Sequence, residues 1–237
     1  MNEAQKILVI VPAFNEEGAI SNVIREIRDT GLQTDILVVN DGSSDRTESE
    51  ARATGCNVVS LPFNLGIGGA VQTGFKYAAA RQYSIAVQVD GDGQHIASEI
   101  PGLIEPIQNQ AADVVIGSRF IEKKGYTTSW IRRGGVAVFM TVNSLVLKQK
   151  ISDNTSGFRA YNRRAIQFLA EYYPQDYPEP ESVILLGTNG FRLAEVSVRM
   201  RERTHGRSSI SAARSIYYMV KVVLAIFVDL FKERICR

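Results

Sequence analysis

Between residues 7 and 116 the sequence repeats one pattern: a short apolar run, a polar or glycine-rich cluster, then a stretch of helical periodicity. The apolar runs stand at 7–11, 36–39, 58–61, 85–89 and 114–116. They are nearly continuous in Val, Ile and Leu rather than alternating, as expected of strands buried on both faces. Between the first two, Ile20, Val23, Ile24 and Ile27 are spaced by three and four and mark one apolar helix face. Further helices are expected through about Ala53, from the glycine turn to about Arg81, and over 101–108. This alternation argues for an α/β fold on a mostly parallel sheet flanked by helices. Ligands of such sheets sit beyond the carboxyl ends of the strands. The clusters Asn15-Glu16-Glu17, Asn40-Asp41-Gly42-Ser43-Ser44-Asp45, Gly66-Ile67-Gly68-Gly69 and Asp90-Gly91-Asp92-Gly93-Gln94-His95 each follow a strand. All are therefore expected to converge on one crevice.

Composition narrows the class. The chain has 237 residues, 45% hydrophobic and 22% charged, which excludes disorder, a collagen-like chain and a polytopic membrane protein. Two cysteines and two histidines exclude a disulfide scaffold and argue against a Cys/His zinc site. The charged start, Met1 to Lys6, leads into only a short apolar run, which sets cytoplasmic as the expected compartment. The second half is less regular: a helix end over 143–150, a polar loop over 153–159, a three-proline stretch over 172–181 and a strand over 194–200.

Charge is unevenly spread. Residues 199–237 carry nine Lys/Arg against three Asp/Glu, whereas the rest carries 18 against 22. A basic tail on a mildly acidic body points to an anionic partner. From about 210 to 232 the chain is largely apolar, and Arg214, Lys221 and Lys232 fall on one line of a helix, within about 20°. That suits a helix in a membrane interface, its cations reaching headgroups, or one packed on the body or a sister subunit. It is too short to span a bilayer alone, where about 20 apolar residues are needed. Oligomerisation, or a small separate membrane protein, is expected to hold the chain at the bilayer.

Asp90 and Asp92, two residues apart past a buried strand, can reach one divalent ion, and Gln94 can add a neutral oxygen. Hard oxygen ligands suit Mg²⁺ or Mn²⁺. Asp41 suits either a hydrogen bond from a nucleobase or the N-cap of the next helix, a role for which Ser43, Ser44 and Asp45 compete. The glycine turn lacks the third glycine of a dinucleotide fingerprint, since residue 71 is Val, and it follows the third strand rather than the first.

Taken in order, Pro12-Ala13-Phe14-Asn15-Glu16-Glu17, Asn40 to Asp45, Asn64-Leu65-Gly66-Ile67-Gly68-Gly69-Ala70, Asp90 to His95, Gly117-Ser118-Arg119 and Asp153-Asn154-Thr155-Ser156-Gly157-Phe158-Arg159 carry a resemblance. Together they resemble the inverting glycosyltransferases of family two with the GT-A fold, most of all the polyprenyl-phosphate hexose synthases. The resemblance covers roughly residues 6–210. It implies a GT-A catalytic domain over 1–210, which leaves the amphipathic helix read from the residue pattern over 211–237. It also implies that Pro12, Phe14, Glu16 or Glu17, Asp41, Gly68 and Asp90 bind the nucleotide, and that Asp92 and Gln94 hold Mg²⁺ or Mn²⁺ on the diphosphate. Arg119, Arg132, Arg133, Arg159 and Arg207 would receive phosphate oxygens of donor or acceptor. Two departures stand out: Asn40 where relatives often have Asp, and Ile67 where many have Lys.

A sugar hydroxyl acceptor would need a general base. A phosphate monoester, with second pKa roughly 6, is already ionised and needs mainly orientation, which arginines supply. The chemistry thus favours a phosphate acceptor, and the resemblance implies transfer of a hexose or N-acetylhexosamine from a UDP-linked donor to undecaprenyl phosphate, for cell-envelope glycan synthesis. The enzyme would act peripherally at the inner face of the membrane, with no nucleic acid partner. Glu181 as base on a saccharide hydroxyl is the alternative mechanism. A catalytically idle nucleotide-sugar-binding subunit is the alternative class.

Overall fold

Seven strands form one sheet in the computed structural model, which describes residues 5–121 and 151–201. In chain order they are β1 (Ile7–Ala13), β2 (Thr34–Asn40), β3 (Asn57–Ser60), β4 (Ile85–Gln88), β5 (Val114–Ser118), β6 (Arg159–Asn162) and β7 (Leu193–Ser197). Their spatial order is β3-β2-β1-β4-β6-β5-β7. All neighbours run parallel except β6, which is antiparallel to both β4 and β5.

Period-two alternation sends each buried strand into two cores. Ile7, Val9 and Val11 of β1 join one core, built with α1 (Ile20–Asp29), α2 (Thr47–Ala53) and α4 (Ile100–Gln108). Leu8 and Ile10 join the other, built with α3 (Gly66–Ala80), α5 (Arg163–Tyr172) and α6 (Pro178–Thr188). Every residue of β1 is buried, and each such Leu, Ile or Val contributes roughly 1.5–3 kcal/mol. A Cβ at Gly74 would collide with Ile10 Cγ2, so glycine there lets α3 lie close on β1.

The expected α/β architecture with a mostly parallel sheet is the observed one. The second half departs from the sequence reading in detail. The polar loop expected over 153–159 gives way at Arg159 to β6, a four-residue strand inserted between β4 and β5. The proline-rich stretch contains the start of α6, with Pro178 at its first turn, where the missing N–H costs nothing. The 143–150 helix end, the boundary at 210 and the 211–237 helix lie outside the described residues. Among the described residues, no helix is long and apolar enough to cross a membrane.

Candidate active site

Beyond the carboxyl ends of β1, β2 and β4, together with the turn into α3, lies a cleft of about 360 Å³. The loop after β1 contributes Pro12, Ala13, Phe14 and Glu16, and the loop after β2 contributes Asp41. Asn64, Gly66, Ile67 and Ala70 come from the turn into α3, and Asp90, Gly91 and Asp92 from the end of β4. The sheet topology thus brings four separate polar clusters to one crevice.

Local hydrogen bonds stitch these loops together. Asn15 sits at φ 55, where its Oδ1 accepts the Ser44 N–H at 2.9 Å, while Ser43 Oγ accepts the Asn15 N–H at 3.0 Å. The Glu16 N–H reaches Thr47 Oγ1 at 2.7 Å, which leaves the Glu16 side chain on the cleft. Glu17 instead accepts the Arg46 N–H and Nε at 3.1 and 3.2 Å. Gly42 is held at φ +67, and a Cβ there would stand 2.7 Å from the Phe63 carbonyl carbon, so only glycine lets these turns approach.

Asp41 is 3% exposed and accepts the N–H groups of Leu65 at 2.7 Å and Gly66 at 2.9 Å. It therefore caps α3, a helix 25 residues further on, rather than the next helix. That cap falls to Asp45, whose Oδ1 accepts the Thr47 N–H at 2.9 Å. A carboxylate has about four acceptor sites, so these two bonds leave Asp41 capacity toward the cleft.

The Asp90–His95 loop is shaped from within. Asp92 Oδ1 accepts the Gln94 N–H at 3.0 Å, and Gly93 takes φ +78. His95 Nδ1 accepts the Asp90 N–H at 3.0 Å, so the proton resides on Nε2, which stands 3.6 Å from Asp90 Oδ2. Burial lowers the His95 pKa to about 4, against the opposing pull of Asp92, so the ring is neutral at pH 7. It stacks on Phe158 with centroids 4.7 Å apart and planes 11° off parallel. A Cβ at Gly157 would stand 3.2 Å from either Asp90 carboxylate oxygen, so the 151–159 loop backs that side chain closely.

Could this site hold a cation? No cluster of three or more His, Cys, Asp or Glu ligands occurs among the described residues. Asp90 and Asp92, half-buried on one wall of an open cleft, form an oxygen-only donor pair. Such a pair fits Mg²⁺ or Mn²⁺, which keep several coordination positions for water and substrate phosphates. Gln94 is not among the cleft-lining residues.

Several other expected site residues make contacts within the fold. Gly68 lies in α3 against backbone, where a Cβ would stand 2.7 Å from the Gln175 carbonyl oxygen, and it does not line the cleft. Arg159, 1% exposed, donates from Nε to Ser156 O, from Nη1 to Ser182 Oγ, and from Nη2 to Asn154 O and Glu179 O, all at 2.7–2.9 Å. Arg159, expected as a phosphate ligand, clamps the 154–156 loop to the start of α6 in this structure. Arg119 forks onto the buried Asp153 carboxylate, Nε to Oδ2 at 2.7 Å and Nη2 to Oδ1 at 2.8 Å, and reaches Thr155 Oγ1 as well. Glu195 accepts the Ser152 and Asp153 N–H groups, both at 2.8 Å, and so fixes that loop in turn. Glu181 is buried in the first turn of α6 and does not line the cleft. Burial raises the neighbouring Glu179 carboxyl, opposed by Arg159. Arg132, Arg133 and Arg207 lie outside the described residues.

His95, Asp153 and Gly157 also shape the site, with no signal in the sequence, since nothing in residue type announces a side chain folding back five positions.

The glycosyl transferase family 2 profile matches residues 8–169. The chain belongs to that family. This glycosyl transferase is 30% identical over 229 residues to the polyprenol monophosphomannose synthase of Mycolicibacterium smegmatis, covering 92% of this chain and 86% of that one. It is 30% identical over 213 residues to the UDP-N-acetylglucosamine–dolichyl-phosphate N-acetylglucosaminyltransferase of Methanococcus voltae, covering 81% and 84%. With the undecaprenyl-phosphate mannosyltransferase of Micrococcus luteus the identity is 29%, over 87% and 88%. Among solved structures, glucosyl-3-phosphoglycerate synthase from Mycobacterium tuberculosis, crystallised with Mn²⁺, UDP and phosphoglyceric acid, shares the fold. Its TM-score is 0.69 at 22% identity, over 95% of this chain and 78% of that one.

Proposed function

We propose that this family 2 glycosyl transferase moves a hexose or N-acetylhexosamine from a UDP-linked donor to undecaprenyl phosphate, using Mg²⁺ or Mn²⁺, peripherally at the inner face of the membrane. The carrying observation is the gathering of Asp41, Asp90 and Asp92 from separate strand ends around one cleft. The relatives named above support a polyprenyl phosphate acceptor, since their own names include one.

In this reading Pro12, Phe14 and Glu16 flank the nucleoside, Asp41 accepts from the base, and Asp90 meets the ribose-diphosphate. Asp92 would hold the cation, with Gln94 as an added oxygen ligand. A divalent ion held there would supply neutralising charge for the departing diphosphate. A phosphate acceptor supplies its own ionised oxygen, so the chain need only orient it. Arg119 stands at the edge of the 151–159 loop through Asp153 and Thr155, and Arg132, Arg133 and Arg207 complete the proposed acceptor set. Oligomerisation or a small membrane protein would keep the chain at the bilayer.

The test offers purified protein a panel of UDP- and GDP-sugars with undecaprenyl phosphate and Mn²⁺, followed by mass spectrometry of the extracted lipid. One UDP-sugar should yield a lipid heavier by one phosphodiester-linked sugar, and chelation should abolish it. A product formed only on saccharide hydroxyls, or equal yield under chelation, would contradict the proposal.

A further inference from the structure

The loop that carries both cleft carboxylates of β4 takes its shape from a side chain to which the proposed transfer gives no role. We propose that His95 is a positioning residue: its Nδ1, by accepting the Asp90 N–H, fixes the turn that presents Asp90 and Asp92 to the donor diphosphate and its cation. The inference rests on the reading of the cleft given above.

Strand geometry explains why a side chain is needed there. Along the edge of β4 that faces β1, Val89 donates to Ile10 O at 3.0 Å and Gly91 to Pro12 O at 3.2 Å. The intervening Asp90 N–H points the other way, toward β6. The β4–β6 ladder ends at Gln88↔Arg159, so no strand partner awaits that N–H. His95 Nδ1 takes the place of the missing carbonyl at 3.0 Å and closes the 90–95 loop across its base. The ring has little freedom to leave: it is buried, stacks on Phe158, and its backbone bridges to Met200 while Gln94 O accepts the Arg201 N–H at 2.8 Å. Without the imidazole, a backbone donor at the root of the cleft would lose its acceptor, and the loop would turn to recover one.

Three variants separate the acceptor from the packing. His95→Phe keeps a ring on Phe158 and removes the acceptor. His95→Asn places an amide oxygen near the position of Nδ1. His95→Gln places it near Nε2 instead. Hydrogen exchange at the Asp90 amide reads the contact, and electron paramagnetic resonance of Mn²⁺ titrated with UDP reads its consequence. His95→Phe and His95→Gln should lose Asp90 protection and bind Mn²⁺ with UDP about 10–100-fold more weakly, the range for groups that orient a metal ligand. His95→Asn should recover most of both. Equal weakening in all three would overturn the proposal in favour of packing alone. So would wild-type Mn²⁺ affinity in His95→Phe with its Asp90 amide deprotected. If His95→Phe does not fold, the Asn–Gln contrast decides. If the wild-type protein itself binds no Mn²⁺ with UDP, the cleft reading falls, while Asp90 exchange still decides whether His95 holds the loop.

Discussion

At the carboxyl ends of β1, β2 and β4, the acidic side chains Asp41, Asp90 and Asp92 face an open cleft. Around β5, β6 and β7, equally charged side chains turn on one another and on backbone: Arg119 on Asp153, Arg159 on three carbonyls, Glu195 on two N–H groups. Both sets lie in polar clusters beside strands, so position along the chain does not tell a ligand-facing charge from an architectural one. What separates them is whether the side chain also lines an open cleft once the sheet has formed. A buried charge must be satisfied by the fold itself, as Asp41 is by the Leu65 and Gly66 N–H groups, whereas the half-exposed Asp90 and Asp92 on the cleft wall can also meet a ligand.

That contrast is broken or sharpened by substitution, starting with the largest effect. Asp92→Asn, which preserves shape, should lower transfer about 10²–10³-fold, as for loss of one charge-stabilising group, with an unchanged unfolding free energy. Turnover near that of the wild type would place Asp92 in the architectural set. Arg159→Met should do the reverse. Stranding buried carbonyls at about 1–3 kcal/mol each should cost on the order of 3 kcal/mol in a urea titration. A stable Arg159→Met protein with selectively lost phosphate binding would move Arg159 to the ligand-facing set.

A smaller loss is expected from Asp153→Asn, which weakens the fork on Arg119 by about 2 kcal/mol. The acceptor KM should rise with it if Arg119 meets the acceptor phosphate. A change in stability with no change in KM would confine Arg119 to architecture.

The smallest effect concerns pH. Burial pushes the Asp113 carboxyl up, but hydrogen bonds from the Arg192 side chain and backbone outweigh it and hold the pKa below the usual carboxylate value. A depressed pKa contributes stability that is complete above the unfolded value, roughly 3.9, and is lost as pH falls through the folded one. The stability gap between wild type and Asp113→Asn should therefore be wider at pH 7 than at pH 3 in denaturant titrations. A gap constant across that interval would remove the ionised carboxylate as its source.

How much of this was legible beforehand follows from the same physics. Strands β1, β2 and β4 announce themselves as continuous apolar runs, and the clusters that follow them do converge. β6 does not, because Arg159-Ala160-Tyr161-Asn162 has polar ends and its arginine is buried only by virtue of carbonyls supplied from elsewhere. Two helix starts do carry sequence signals. Asn162 caps α5 by accepting the Ala165 N–H at 2.9 Å, and Pro178 with Glu179 and Glu181 marks the first turn of α6. Gly68 is ambiguous in sequence, because a glycine in the first turn of a helix suits a phosphate turn and close packing against a neighbouring loop equally well; the structure shows the packing, against Gln175.

Anomalous diffraction at the manganese edge, from crystals grown with Mn²⁺ and UDP, tests the account most directly. The account predicts one strong peak inside the cleft at bonding distance from Asp92, with the diphosphate on its far side. A manganese peak away from β4, with UDP bound and the Asp92 carboxylate touching neither, would contradict it.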